Sequence, residues 1–394
     1  MAKQTVNQGT IDLASNAGAV VGAAQSQWFS RPADHKFESL EKLYAAVDDR
    51  RRRAYVEDVD ANSFRLVPGV GNNKDGFRVQ STVPTKKGSA RVIETIPTHY
   101  AFGQMCSLIG APAGYFRDKL ADRPDVVVSA VNHGMAKRES EGVKLMAVNP
   151  RGVGSGLAKL YAVTSQTYGR IWDADVVAAA QKIVAGTKGR FFAPHDWSKE
   201  KRALFASDRD VFMFFIDGGS IVDGGGDRDQ LHRGWFMWNS EVGSKTMGIA
   251  CFLFRGVCGN FGIWGAQDVR VLKIRHSSGG PERFITEAIP ALNDYVRMTA
   301  KPIEQAVRKA KALELPKAED DFSQWFMSGK NGAKFNAAEV RRAKEFADAE
   351  EGQHHTLWDM YNGFTAAARQ MAFAESKVDM EKRAGQLLEV LVAA

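Results

Sequence analysis

Near its start the chain places apolar residues at intervals of three and four, a spacing that predicts an amphipathic helix. The stripe consists of Phe37, Leu40, Tyr44 and Val47. The predicted helix ends in DDRRRR, residues 48–53. Four consecutive arginines suit phosphate groups, but cations at the carboxyl end of a helix also stabilise its macrodipole. Because charge runs are usually solvated and two aspartates precede this one, we expect a solvated helix end.

The middle of the chain consists of short apolar or alternating runs bounded by Gly, Asn, Asp and Pro, a pattern typical of β-strands. These runs are SFRLVPGV, DGFRVQSTV, PDVVVSAVN, KLMAVNP, AKLYAVTSQTYGRI, DVFMFFID, RGWFMWNS and SKTMGIACFLFR. Helical spacing from Thr98 interrupts them and predicts a helix that stops at GAP, followed by a short second helix in PAGYFRDKL. The glycine-rich run DGGSIVDGGGDRDQ predicts a hairpin loop.

After Pro281 the pattern becomes helical to the end of the chain, with a kink expected at Pro290. Asn336 and Glu339 have the spacing of a capping box. We therefore predict an α+β fold with a central, mostly antiparallel β-sheet, flanking helices and a helical C-terminal region. The predicted division is a loosely ordered arm over residues 1–34, an α+β core domain over 35–280 and the helical region over 281–394.

The charge and the composition of the chain limit the kinds of partner that it can bind. The 53 Lys and Arg residues exceed the 46 Asp and Glu residues, which gives a net charge of +7. This balance permits binding to nucleic acid or to an anionic surface. The weakly apolar segment IDLASNAGAVVGAA is too short to span a bilayer, so we expect no membrane partner and a soluble protein in the cytoplasm, the host cytoplasm if a phage encodes it.

Motifs for catalysis and metal binding are missing from the sequence. Cys251 and Cys258 lack the spacing of a zinc pair, and the adjacent His354 and His355 diverge on a helix. GxSxG, HExxH and phosphate-loop signatures do not occur. We expect no metal and no cofactor, and we favour a protein without catalytic activity, although a site assembled from distant residues stays open.

The stretch FMWNSEVGSKTMGIACFLFRGVCGNFGIWG, residues 236–265, predicts two β-strands joined by a turn at NSEVG. A core hairpin explains most of it. It does not explain Glu241 beside Arg255, or the many polar groups among aromatic residues, and these residues are candidates for a binding surface.

This stretch resembles the signature of the phage and plasmid-like proteins called domain of unknown function 932. There an Asn-Ser-Glu-x-Gly turn precedes an apolar strand and an Arg-x-Val-Cys-x-Asn-Gly element, in which this chain has Phe261 in place of Gly. Flanking stretches that agree are AFGQMCSLIGAPAGYFRDKL, KLYAVTSQTYGRIWDADV, IRHSSGGPERFITEA and TLWDMYNGFT. The resemblance covers roughly residues 90 to 370. It implies a setting in mobile elements and phages, and no established activity.

Phages carry non-catalytic proteins that bind or anneal single-stranded DNA, and such proteins combine a basic groove with aromatic residues that stack on bases. Our first hypothesis is such a protein, acting in replication or recombination, and assembly into a homo-oligomer is compatible with it. Trp238 and Phe261 are the stacking candidates. The residues expected at phosphates are Lys86, Lys87, Arg91, Arg270, Lys273, Arg275 and His276.

Two alternatives remain open. In the first, the protein is an enzyme acting on a nucleic acid or nucleotide, with Glu241, Arg255, Asn260 and His276 converging in a pocket for acid–base or metal-assisted chemistry. In the second, it has a protein-interaction or structural role, for example as a phage protein that sequesters a host protein, and shows no salt-dependent binding to DNA. The sequence also leaves open whether the central aromatic residues are surface or core.

Overall fold

The computed structural model describes most of the chain, and the statements below concern only that part. It comprises residues 33–69, 77–84, 89–138, 141–152, 156–193, 203–223, 230–255, 261–262, 271–369, 380, 383–388 and 390–391.

The larger of two β-sheets, called the large sheet, contains the stretch with the NSEVG turn. Its strands are β1 (Lys36–Phe37), β8 (Phe191–Phe192), β9 (Leu204–Ala206), β10 (Val211–Asp223), β11 (Gln230–Asn239), β12 (Met247–Arg255), β13 (Phe261–Gly262) and β14 (Val271–Ile274). They follow the order β1-β9-β10-β11-β12-β13, with β8 also on β10 and β14 also on β12, and every pairing is antiparallel. The predicted hairpin is thus β11 and β12.

The second sheet, called the small sheet, has six strands in the order β2-β6-β7-β5-β4-β3. They are β2 (Ala54–Asp60), β3 (Arg65–Pro68), β4 (Phe77–Pro84), β5 (Ala90–Pro97), β6 (Gly142–Val148) and β7 (Ala158–Ser165). Strands β5 and β7 run parallel and the other pairs antiparallel. The prediction of a mostly antiparallel α+β fold is confirmed, but the strands form two sheets and not one.

Helices flank the sheets and make up the C-terminal part. They are α1 (Leu40–Arg53), α2 (His99–Leu108), α3 (Ala113–Asp118), α4 (Pro124–Ala136), α5 (Asp173–Gly186), α6 (Gly280–Arg283), α7 (Ile289–Arg297), α8 (Lys301–Ala312), α9 (Glu319–Met327), α10 (Ala337–Glu351) and α11 (Leu357–Arg369). Short 3₁₀ turns occur at Ala33–His35 and Ala61–Ser63, and Phe284–Ala288 forms a π-helical turn. The helical C-terminal region is confirmed. Among the described residues, no helix combines the length and apolar character needed to cross a membrane.

One predicted strand is wrong. PDVVVSAVN lies in α4, because Pro124 occupies the first helical turn, where its missing N–H is harmless. Val127, Val131 and Met135 follow at four-residue intervals and are buried against the small sheet. The β-branched valines suggested a strand locally, but the four-residue spacing of the buried positions governs the structure.

Two predictions concern helices of the C-terminal part: the capping box at Asn336 and the kink at Pro290. Asn336 and Glu339 form the capping box that begins α10, and Gly352 ends this helix with a φ of 77°. The stretch around Pro290 is not one continuous α-helix, since the π-helical turn lies directly before α7. Proline cannot donate the backbone hydrogen bond that a regular helix requires, so the change of winding falls where it is expected.

The core consists of separate apolar clusters. The largest surrounds the large sheet, whose central strands are buried on both faces, and it includes residues of α1, α5 and α7. A second lies between the small sheet and helices α2 to α4, and a third joins the helices from α8 onward. Helix α7 belongs to the first core: Tyr295 donates a hydrogen bond from its hydroxyl to Gly234 O at 3.0 Å.

Candidate functional site

The NSEVG turn follows β11 and lies against the beginning of α5. Asn239, the last residue of β11, donates from Nδ2 to Ile171 O at 2.8 Å and to Asp173 Oδ1 at 2.7 Å. Ser240 Oγ accepts from Ser244 N at 2.9 Å, and Gly243 has a φ of 90°, so the side chain and the glycine close the turn. The strand end is therefore tied to the helix start by side-chain hydrogen bonds.

Three buried charged residues meet at this point and, with Asn239, form what we call the ionic cluster. Arg50, near the end of α1, places Nη2 2.6 Å from Asp173 Oδ2 and Nε 2.7 Å from Glu241 Oε1. Asp173 N donates to Glu241 Oε2 at 3.0 Å, which sets a carboxylate on the N-terminus of α5. The exposed fractions are 9% for Arg50, 0% for Asp173 and 1% for Glu241.

The electrostatics of the ionic cluster follow from its charge count, since one guanidinium serves two carboxylates. Burial raises the pKa of Asp173 well above its ordinary value, the negative charge of Glu241 raises it further, and Arg50 and Asn239 oppose both. Burial opposes the charge on Arg50, but Glu241 and Asp173 outweigh it and raise the Arg50 pKa. The cluster has one more carboxylate than cations, and it joins α1, α5 and the turn.

His276 lies on the other side of the same turn. Its ring stacks on Tyr168 with centroids 5.1 Å apart, and the Tyr168 hydroxyl donates to Ser240 O at 3.1 Å. Ile171 N donates to His276 Nδ1 at 3.3 Å, so this nitrogen is an acceptor. Burial, reinforced by Arg170, lowers the pKa of His276 to about 4. The ring is neutral at pH 7, which does not suit an electrostatic contact with phosphate.

The structure brings Glu241 and His276 to the same segment, residues 170–173, but it does not bring Arg255 there. Strand register pairs Arg255 with Leu231 at the opposite end of β11 from the turn. The interpretation of Glu241 beside Arg255 is wrong, because antiparallel pairing sends the two ends of the hairpin apart. The charge partner of Glu241 is Arg50. Asn260 lies outside the described residues.

The residues predicted to bind nucleic acid differ in whether the structure describes them and in how they are paired. Lys86, Lys87 and Arg270 lie outside the described residues, and Phe261 is placed only as part of β13. Arg91 is exposed and pairs with Glu57 at 2.8 Å. Lys273 and Arg275 are exposed.

The aromatic residues of the hairpin mostly belong to the core. Trp235 and Phe236 are buried, and Trp238 is only partly exposed. The Trp238 ring lies 5.3 Å from Phe236 and 6.5 Å from Phe212, centroid to centroid. These rings fill the large-sheet core, so Trp238 has the packing of a structural residue.

The arginine run at the end of α1 is paired with acids. Arg51 contacts Asp175, Arg52 lies 3.1 Å from Asp48 and Arg53 lies 2.9 Å from Asp49. The expectation of a solvated helix end fits Arg52, whose side chain is 68% exposed. The expectation is wrong for Arg50, because this side chain is buried and pairs with Asp173 and Glu241.

A surface that sequence reasoning missed begins at the first turn of α2, where Thr98 caps the helix. Arg117, from α3, donates from Nη1 to His99 O at 3.0 Å and lies 5.7 Å from the Phe102 ring. Arg209, from the loop between β9 and β10, lies 4.9 Å from the Tyr100 ring. We call His99, Tyr100, Arg117 and Arg209 the cation–aromatic surface.

The NSEVG turn helps to position this surface, because Ser240 Oγ donates to Arg209 O at 2.6 Å. His99 and Arg209 are exposed, and Tyr100 and Arg117 are partly exposed. Burial together with the charges of Arg117 and Arg209 lowers the pKa of His99, while Asp118 and Asp208 act in the opposite direction. No sequence signal joins these residues, since three distant segments supply them.

Metal-binding geometry does not occur in the described part of the chain, where no three His, Cys, Asp or Glu residues gather as ligands. Cys106 and Cys251 are buried free thiols, and burial raises the pKa of Cys106 to about 11. A thiol with so high a pKa is mostly protonated at pH 7 and suits packing better than nucleophilic chemistry.

Comparison with known proteins identifies a family. A family model described as a domain of unknown function (DUF932) matches residues 160–387, more than half of the chain. The match includes the NSEVG turn, α5 and most of the C-terminal helices. No curated protein and no solved structure matches the chain.

Proposed function

We propose, from the premise that this chain belongs to the DUF932 family, that it is a non-catalytic protein that binds single-stranded nucleic acid. The cation–aromatic surface carries the proposal. Arg209 lies over the partly exposed Tyr100 ring and Arg117 over the buried Phe102 ring, which places two guanidinium groups and one accessible ring at this region. Single-strand binders use this combination, because arginine contacts phosphates and both guanidinium planes and rings stack on bases.

The net charge of the chain also favours the proposal. The chain carries a net charge of +7, which favours a polyanion. Asp118 and Asp208 also lie close enough to influence His99, so two carboxylates offset the two arginines of this surface, and the charge that favours a polyanion is that of the whole chain. The exposed Lys273 and Arg275 add cations elsewhere on the protein. We therefore expect moderate affinity with a clear dependence on salt.

A single strand fits better than a duplex, because the surface offers stacking partners and duplex DNA hides its base faces. Helix α2 contributes its N-terminal end to this surface and does not present a face of polar residues that could enter a groove. Helix α3 has only six residues, with Phe116 buried. Neither helix resembles a recognition helix.

Absence of catalysis is the interpretation that fits the ionic cluster. Its carboxylates are almost fully buried and are engaged by Arg50, Asn239 and the Asp173 N–H. A general acid or base must reach its substrate. The cluster instead has the geometry of a joint between secondary-structure elements.

The test is fluorescence anisotropy with a labelled thymidine oligonucleotide, single-stranded and in a duplex with its complement, at several salt concentrations. We expect tighter single-strand binding that weakens as salt rises. The double variant R117A/R209A should bind at least tenfold more weakly. The matched control R283A/R308A removes two exposed arginines that pair with Glu287 and Glu304, and it should bind like the wild type.

Either of two results contradicts the proposal: no binding at low salt, or equal losses in both double variants. With no binding at low salt, capture of a specific host protein becomes the next hypothesis. Given binding, the DUF932 resemblance to phage and plasmid proteins suggests a role in replication or recombination of mobile DNA. A strand-annealing assay and the mass of the protein–DNA complex then test annealing and self-assembly.

A further inference from the structure

A groove of about 380 Å³ lies between α5 and the segment that runs from α6 through the π-helical turn into α7. One wall includes Ile171, just before α5, and Ala179 and Ile183 of α5, and the opposite wall includes Phe284 and Ile289. These positions recur at helical spacing, so each wall is one face of a helix. The α5 residues that line the groove run from Asp175 to Ile183, which is about 12 Å along the helix at the usual rise per residue.

The two walls of the groove begin side by side. Gly169, just before α5, donates its N–H to His276 O at 3.1 Å, and the position of a Cβ on Gly169 would lie 3.0 Å from Pro281 Cδ. This contact sets the start of α5 beside the start of α6. Lys182 and Asn293 therefore lie toward the other end of the groove. The π-helical turn projects Ile285 at the groove wall, where its side chain is 63% exposed.

The charges along the groove are unequal. Asp175 pairs with Arg51, and Arg170 donates to Glu241 O and lies over the rings of Tyr168 and Trp172. Lys182 is exposed and forms no ion pair with any described residue. The groove thus has an apolar wall on both sides and one available cation toward one end.

We propose that this groove binds a linear apolar chain that ends in an anionic head group, with a fatty-acid carboxylate as its simplest form. The carboxylate pairs with Lys182, and the chain lies between the two helical faces toward Ile171 and Phe284. Small-ligand sites of this size are lined mostly by apolar residues with a few polar groups that fix orientation. This inference is independent of the proposed nucleic-acid function.

Isothermal titration calorimetry with octanoate, decanoate and dodecanoate tests the apolar part. If the chain is buried, affinity should rise about fourfold for each added methylene group. Dodecanol tests the head group and should bind at least tenfold more weakly than dodecanoate. No dodecanoate binding, affinity that is independent of chain length, or equal binding of dodecanol would overturn the proposal.

Variants locate the site. I285D puts a carboxylate on the groove wall at an exposed position, and K182E reverses the charge that receives the head group. Each should lower dodecanoate affinity at least tenfold. The control V126D makes the same substitution on α4, where the valine is 37% exposed, and should leave affinity unchanged. Urea unfolding checks that all three variants fold, and equal losses in I285D and V126D would contradict the site.

A final experiment distinguishes a free fatty acid from a membrane lipid, since both have an apolar chain and an anionic head group. Co-sedimentation uses vesicles of phosphatidylcholine with phosphatidylglycerol. The groove accommodates one chain removed from its bilayer, so we expect dodecanoate to bind and the protein to stay in the supernatant. Sedimentation with the vesicles that persists in K182E and I285D, without binding of free dodecanoate, would refute the assignment.

Discussion

The ionic cluster and the cation–aromatic surface both place arginine beside carbonyl oxygens, acids or aromatic rings, but they differ in what surrounds them. Arg50 is 9% exposed and has two carboxylates as partners. Arg209 is exposed and lies over one ring. A buried charge must be satisfied within the protein, whereas an exposed charge can exchange its water for a ligand. The comparison supports a structural role for the first region and is the reason for proposing binding at the second.

The NSEVG turn, which carries the family resemblance, is among the most enclosed parts of the molecule. Val242 packs with Met146, Val148 and Ala162 of the small sheet, and Gln104 Nε2 donates to Val242 O at 2.9 Å. The turn therefore connects the two sheets as well as α1 and α5. A motif rich in polar residues can specify a joint between elements, and here the burial of its side chains decides in favour of that interpretation.

The largest expected effect that could break this comparison is the loss of Arg50. R50M leaves Asp173 and Glu241 buried without their cation and should lower the free energy of unfolding by about 3–5 kcal/mol. R52M makes the same change at an exposed arginine two positions along and should cost less than about 0.5 kcal/mol. Urea denaturation measures both. Similar small losses would show that the cluster is not a structural joint.

Trp238 provides the next test, because the sequence assigned it to base stacking and the structure packs it against Phe212 and Phe236. W238A should lower the free energy of unfolding by about 3 kcal/mol. DNA affinity, measured by anisotropy where the variant is folded, should stay within twofold of the wild type. A fully stable W238A that loses DNA binding would return this residue to the binding surface.

His276 predicts how the stability of the protein depends on pH, which tests whether the region around the turn is buried. Its folded pKa of about 4 lies below the ordinary value of 6.5. Below pH 6.5 His276 becomes protonated in the unfolded chain, but in the folded protein it stays neutral until about pH 4. The free energy of unfolding therefore falls as the pH decreases from about 6.5 to 4. The expected contribution is roughly 3 kcal/mol.

H276F keeps an aromatic ring against Tyr168 and removes the titrating group. Its free energy of unfolding should therefore decrease less than that of the wild type between pH 7 and pH 4. Urea denaturation at four pH values measures the difference. Parallel pH profiles would mean that His276 titrates normally and is open to solvent.

The smallest effect concerns a single exposed cation. R209Q removes one proposed phosphate contact, so the slope of log affinity against log salt should become shallower by about 0.7 for a single strand. The free energy of unfolding should change by less than about 0.5 kcal/mol. Anisotropy titrations at five salt concentrations measure the slope. An unchanged slope would remove Arg209 from the proposed interface.

Local patterns were sufficient for several elements. KLMAVNP, DVFMFFID and RGWFMWNS form strands as predicted, because a continuous apolar run stays buried in a sheet covered on both faces. The capping box of Asn336 and Glu339 is also local, since both hydrogen bonds lie within one helical turn. The failure of PDVVVSAVN shows the limit: valine favours strands locally, but burial along one helical face decided the outcome.

The sequence by itself determined the α+β composition, most strands, the helical C-terminal part and the family resemblance, since these depend on periodicity and short motifs. Only the tertiary structure decided what the charges do. Arg50 and Asp173 stand 123 positions apart, and no local pattern predicts their contact. The same holds for Arg209 over Tyr100. Burial sets whether a charge is a structural tie or a binding group, and burial is created only when distant segments pack together.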